Sequence, residues 1–166
     1  MRASECEAAG AMKPHITYEF HYMGIPTSEE RLGEIFSPVA GMFTSDNPGR
    51  FRIQWHRFLP DSPLHPLIKT LPHVAFEVDD LTAAIEGEEL ILGPYEPIDG
   101  FLVAIINDAG VPVELIQTTL SDDEIWGRAR RGEGALYRAG ESVLSSSAQT
   151  SEREEPKAAN GEASEG

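Results

Sequence analysis

The chain has a single cysteine, Cys6, among its 166 residues. No intramolecular disulfide can form, and a zinc site built on cysteine thiolates is excluded. So low a thiol count fits a reducing compartment, and a cytoplasmic protein is expected. Basic residues are also scarce. Thirteen Lys and Arg stand against 28 Asp and Glu, a formal net charge of −15. Such a surface repels phosphate backbones and anionic membranes, so neither nucleic acid nor membrane is expected as a partner. No apolar run is long enough to span a bilayer, and Met1 to Met12 lacks the apolar stretch of a signal peptide. None of this excludes a small-molecule ligand, because a pocket can differ in sign from the surface around it.

Hydrophobic residues make up 40% of the chain, slightly low for a wholly globular protein. Two polar ends account for the deficit. Residues 1–14 read as a disordered N-terminal segment, or as a leader left by an early start with Met12 the natural one. Residues 140–166, dominated by Ser, Glu, Ala and Gly, read as a disordered acidic tail. Between them, residues 15–119 read as one domain in two modules, about 15–60 and 71–118, followed by a helical extension over 120–139.

The first module opens with a strand from His15 to Gly24. Ile16, Tyr18, Phe20 and Tyr22 face one side; Thr17, Glu19, His21 and Met23 face the other. Thr27 with Glu30 matches a capping box, which predicts a short helix over Ser28 to Phe36 that Pro38 stops. A short strand over Gly41 to Ser45, a turn at Asp46-Asn47-Pro48-Gly49 and a strand from Arg50 to Leu59 complete the module. In that last strand Arg52, Gln54, His56 and Phe58 share a face opposite Phe51, Ile53 and Trp55. Prolines then punctuate a linker from Pro60 to Leu71.

The second module repeats the plan. His73 to Val78 is a strand, and Asp79 or Asp80 caps a helix over Leu81 to Glu86. A strand begins at Leu90 to Leu92 and ends near Gly93-Pro94. Phe101 to Asn107 and Val111 to Thr118 follow, joined by a turn at Asp108-Ala109-Gly110. Strand, helix, then strands thus occurs twice. Ser121 caps a final helix that runs through Arg131, with an acidic first turn and Trp126 as its anchor.

Two strands carry the chemistry. His73, Ala75 and Glu77 lie on one face of the first; Pro112, Glu114 and Ile116 on one face of the last. Each strand sets one potential metal ligand among small or apolar neighbours, and His73 and Glu114 are expected to converge inside a curved sheet. A carboxylate in such a cup needs a metal, a cation or a proton, and a raised pKa would suit it as a general base.

The start Phe20-His21-Tyr22-Met23-Gly24-Ile25-Pro26, the restart Pro72-His73-Val74-Ala75-Phe76-Glu77-Val78-Asp79-Asp80 and the finish Pro112-Val113-Glu114-Leu115 resemble the vicinal oxygen chelate superfamily, over about His15 to Thr118. That superfamily includes glyoxalase I, methylmalonyl-CoA epimerase, extradiol dioxygenases and bleomycin-resistance proteins. The resemblance implies an α+β fold in which paired βαβββ modules form a cup-shaped mixed sheet. It also implies a divalent metal ion (Zn, Ni, Mn, Co or Fe) in the cup and a homodimer. Carried over residue by residue, the ligands fall on His73, Glu114 and Gln54, with His56 one pleat beyond Gln54. The first-strand position falls on Tyr22 rather than a histidine. Its neighbour His21 reaches the cup only if a bulge interrupts the strand. Tyr22 and His21 are therefore expected as substrate-pocket residues, and Glu114 or Glu77 as the group that moves a proton.

Three functions follow from the resemblance. The first is a metal-dependent lyase or isomerase that acts on a small 2-oxo or 2-hydroxy substrate through an enolate-type intermediate. The second is a metal-free binding or resistance protein that uses the same cup. The third is a dioxygenase, which wants two histidines and a carboxylate.

Overall fold

The computed structural model describes residues 13–45 and 50–137. It is an α+β fold with an eight-stranded mixed sheet curled into a half-barrel. The strands are β1 (Tyr18–Pro26), β2 (Ile35–Ser37), β3 (Met42–Ser45), β4 (Ile53–Phe58), β5 (His73–Val78), β6 (Leu90–Ile98), β7 (Phe101–Asp108) and β8 (Val111–Thr118). Three short helices, α1 (Pro66–Thr70), α2 (Leu81–Ile85) and α3 (Asp122–Arg130), complete the described chain. None of them is long and apolar enough to cross a membrane.

The sheet order is β2-β3-β4-β1-β5-β8-β7-β6. Each half therefore runs outward from its first strand through its fourth, third and second. β1 is parallel to β4, β5 is parallel to β8, and the halves join where β1 pairs antiparallel with β5. The repetition read from the sequence is thus a repetition of topology.

Alternation along β5 and β8 sorts the core into two layers. Val78, Leu115, Ala104 and Ile106 pack with Leu81 and Ala84 of α2 on one face. Ala75, Ile116, Val103 and Ile105 cluster with Tyr22 on the other. Asp80 caps α2, its carboxylate accepting from Ala83 N, and Gln117 Oε1 accepts from Leu81 N. Lys13 closes the other end: its Nζ donates to the carbonyls of Ala83 and Ala84. Lys13 thus docks although it falls in the segment expected to be disordered.

The structure corrects four expectations. Residues 28–36 form no helix. Thr27 Oγ1 accepts from Glu29 N, a local turn rather than a helix cap, and Gly33 turns left-handed at φ 79°. Glu34 pairs with Arg57 of β4, and the chain enters β2, where Ile35 lies opposite Thr44. The linker contains α1, whose first N–H groups meet the ring of His65: Nδ1 accepts from Leu67 N. β6 continues through Gly93-Pro94 to Ile98. β4 begins only at Ile53, because Arg52 sits at φ 52° and offers its carbonyl to Met23 N. The turn at Asp46 to Gly49 and both expected disordered ends, apart from Lys13 and Pro14, lie outside the described residues.

The extension is part of the domain. Ser121 and Glu124 form a reciprocal capping box at the start of α3. Beyond it, Gly134 at φ 107° backs onto Pro97 and Ile98, where a Cβ would not fit. That close approach brings Leu136 into the apolar cluster, where Leu136 N donates to Pro97 O and Ser37 Oγ donates to Leu136 O.

Candidate functional site

A one-residue bulge in β1 sets the site. Phe20 pairs with Phe76, but Tyr22 pairs with Ala75, so His21 is the extra residue. Regular alternation would send Tyr22 to the face of Phe20. The bulge instead leaves Phe20 exposed, with both His21 and Tyr22 lining one cavity of about 440 Å³. Gln54 and His56 of β4, His73 of β5 and Glu114 of β8 line the same cavity. The sheet therefore gathers the expected ligand and pocket positions on one side.

At its centre is a compact cluster. Tyr22 hydroxyl donates to Glu114 Oε2 at 2.7 Å, and His73 Nε2 lies 3.2 Å from both that oxygen and the phenol. The His56 ring is centred 5.3 Å from the His73 ring, and its Nδ1 is 3.2 Å from Thr44 Oγ1. Tyr22, His56, His73 and Glu114 are all buried. Among the described residues, two buried atoms of the cluster have no hydrogen-bond partner: His56 Nε2 and His73 Nδ1. Orphaned buried polar atoms cost about 1–3 kcal/mol each and call for an explanation, such as a ligand or ion.

The electrostatics follow from this packing. Burial raises the Glu114 carboxyl, but the hydrogen bond and charge of His73, with the Tyr22 hydroxyl, outweigh it and hold Glu114 below the usual range. The carboxylate is therefore ionised, not protonated. Burial, with the Glu114 charge beside it, pushes the Tyr22 phenol well up, so it remains a donor. Burial and the neighbouring His73 lower His56 to about 3, against the weaker pull of Glu114, so His56 is neutral. If Nδ1–H donates to Thr44, Nε2 keeps a lone pair facing no partner.

Glu77 stands elsewhere. It lines a separate surface groove with Thr17, Glu19 and Thr118, and its Oε2 is 3.8 Å from Nδ1 of His21 at the cavity. His21 lines the cavity and Glu77 does not. Thr44 was not singled out in the sequence; its only signal is its place opposite His56 across β3 and β4. The extension was not singled out as cavity lining either, yet Ile125, Trp126 and Ala129 of α3 line it. Arg52, also at the cavity, bridges to Asp122 at the start of α3 at 2.9 Å.

Neutral imidazole and ionised carboxylate are the donor types of first-row divalent ions and zinc. His73 Nε2 and Glu114 Oε2 stand 3.2 Å apart, and His56 offers an unpartnered nitrogen nearby. In the side-chain arrangement described, however, no three His, Cys, Asp or Glu form a ready ligand set. His56 would have to turn toward the pair, and the Tyr22 hydroxyl takes the third corner beside them.

No family model matches the chain, and no curated protein does. Among solved structures, it is similar to a hypothetical protein from Bacillus halodurans C-125, with a TM-score of 0.47 and 18% identity over 64% of this chain and 97% of that one.

Proposed function

We propose that the chain is a vicinal oxygen chelate protein acting as a metal-dependent lyase or isomerase on an oxygenated substrate of the 2-oxo or 2-hydroxy type. The observation that carries this reading is the buried His56 Nε2, neutral and unpartnered beside an ionised Glu114. His73, Glu114 and His56 would hold the ion. When bound, it would supply Lewis-acid polarisation of a substrate carbonyl.

The remaining work falls to side chains of this chain. Glu114, kept ionised by His73 and Tyr22, accepts the proton from the carbon next to the carbonyl. Tyr22 fixes the orientation of that carboxylate. Thr44 fixes the His56 ring. The α3 residues beside the cavity limit access of water. His21, backed by Glu77, is a titratable side chain through which a proton can pass toward the outer groove.

A second reading has its own support. Tyr22 hydroxyl and His73 Nε2 meet Glu114 Oε2 without an ion, which favours a metal-free cup that sequesters a ligand. One assay separates the two. After loading with divalent metals, NMR in D₂O follows exchange of carbon-bound hydrogen in a panel of 2-oxo and 2-hydroxy acids. The enzyme reading predicts exchange that Glu114→Gln removes. No exchange with any metal or acid favours the binding module.

A further inference from the structure

The cavity is too large and too apolar for its polar end alone. Protein interiors pack with few voids larger than a water molecule. Here about 440 Å³ lies open beside residues that are otherwise core, among them Val103 and Ile105, 2% and 4% exposed. The polar cluster occupies one region of the wall. Much of the rest is apolar and comes from three parts of the chain: Met42 and Phe58 from the first half, Ile105 from the second, and Ile125 and Trp126 from α3. Arg52, Asp122, Asp123 and Arg130 also line the cavity, but its apolar stretch favours an apolar occupant over water. A two- or three-carbon oxo acid would reach Glu114 and leave most of that wall uncovered.

We infer that the substrate is amphiphilic. Its oxygenated head meets Glu114, His73 and His56, and an apolar body of at least one ring fills the space under α3. This rests on the enzyme reading for the head, but the body is argued from the cavity wall alone. Drug-sized ligand sites share this build, an apolar enclosure with a few convergent polar groups. Ala129 marks where the body lies. It is 3% exposed and lines the cavity from α3, so a larger side chain there would intrude on that space.

The test is an affinity series. Pyruvate, 2-oxohexanoate and phenylpyruvate are titrated calorimetrically into the full chain, with and without manganese. Affinity is expected to climb by at least about tenfold from pyruvate to phenylpyruvate, since burying a ring gains far more apolar area than a methyl. Ala129→Trp is expected to weaken phenylpyruvate several-fold more than pyruvate. A flat series in the wild-type chain overturns the inference even if the variant fails to fold, and so does an absence of binding by all three. The exchange assay fails separately. A climbing series without hydrogen exchange keeps the amphiphilic pocket and removes the enzyme. Exchange of pyruvate with a flat series keeps the enzyme and overturns the pocket.

Discussion

The imidazole of His73 lies against Gly24, its register partner across β1 and β5, in the space a Cβ would occupy. A side chain at Gly24 would overlap ring atoms Cε1 and Nε2. Nε2 is the atom that meets Tyr22 and Glu114. Gly24 is therefore a positioning residue: its missing side chain lets His73 reach the cluster. Gly24→Ala is expected to cost about 1–3 kcal/mol by overpacking and to displace the ring. Chemical denaturation measures the cost. In a His73→Ala background the same substitution should cost little, and a double-mutant cycle with no coupling would contradict the account.

Tyr22→Phe removes the donor to Glu114 and keeps the ring. The expected loss is about 1.5–3 kcal/mol, the scale of a hydrogen bond to a charged group. The Glu114 carboxyl should also rise, because one of the groups that lowers it is gone. Carboxyl-carbon NMR across a pH series reads the direction, and an unchanged titration would count against the hydrogen bond.

The ion-free protein should be sensitive to acid in a defined direction. Burial lowers His56 from 6.5 to about 3, so the folded chain keeps it neutral while the unfolded chain takes a proton. Stability then falls as pH drops from about 6.5 toward 3, by up to about 1.4 kcal/mol per unit. Glu114, also lowered, acts in the same direction: its contribution is lost as pH falls through its folded value. Urea unfolding at stepped pH should show a steep decline that His56→Leu flattens. Equal slopes for wild type and variant would contradict a buried neutral His56.

The extension beyond β8 should be energetically part of the domain. Leu136 is 8% exposed and belongs to the inner cluster. Leu136→Ala is therefore expected to cost about 2–4 kcal/mol. The Arg52–Asp122 bridge is well exposed on both sides, and Asp122→Ala should cost less than about 1 kcal/mol. Thermal denaturation of both variants checks the contrast. A silent Leu136→Ala would make the extension an appendage.

The second half was legible because its local signals agree with its packing. His73 to Val78 and Val111 to Thr118 are strands as the sequence reads, and the caps at Asp80 and Ser121 lie where the sequence marks them. His73 and Glu114 are expected from the sequence to converge, and their strands are parallel neighbours in the sheet. The first half misleads where a local motif loses to tertiary pairing. Thr27 and Glu30 read as a capping box, but the ion pair of Glu34 with Arg57 and the ladder of β2 with β3 draw the chain into a strand. The bulge at His21 has no sequence marker, because no glycine or proline stands there; it shows only in the register against β5. Without it Tyr22 and His21 cannot share the cavity. Trp126 reads as an anchor of α3, but where the extension docks depends on contacts 70 and 99 residues back along the chain, Arg52 to Asp122 and Ser37 to Leu136.

Metal retention tests the central claim most directly. The full chain is loaded in turn with zinc, nickel, manganese, cobalt and ferrous iron, desalted, and assayed by elemental analysis beside His56→Ala and Glu114→Ala. Cooperative use of His56, His73 and Glu114 predicts about one tightly held ion per wild-type chain for at least one of these metals. Both variants should lose it, while circular dichroism shows them folded. A wild-type chain that retains none of the five ions, or variants that retain as much as wild type, would contradict the site.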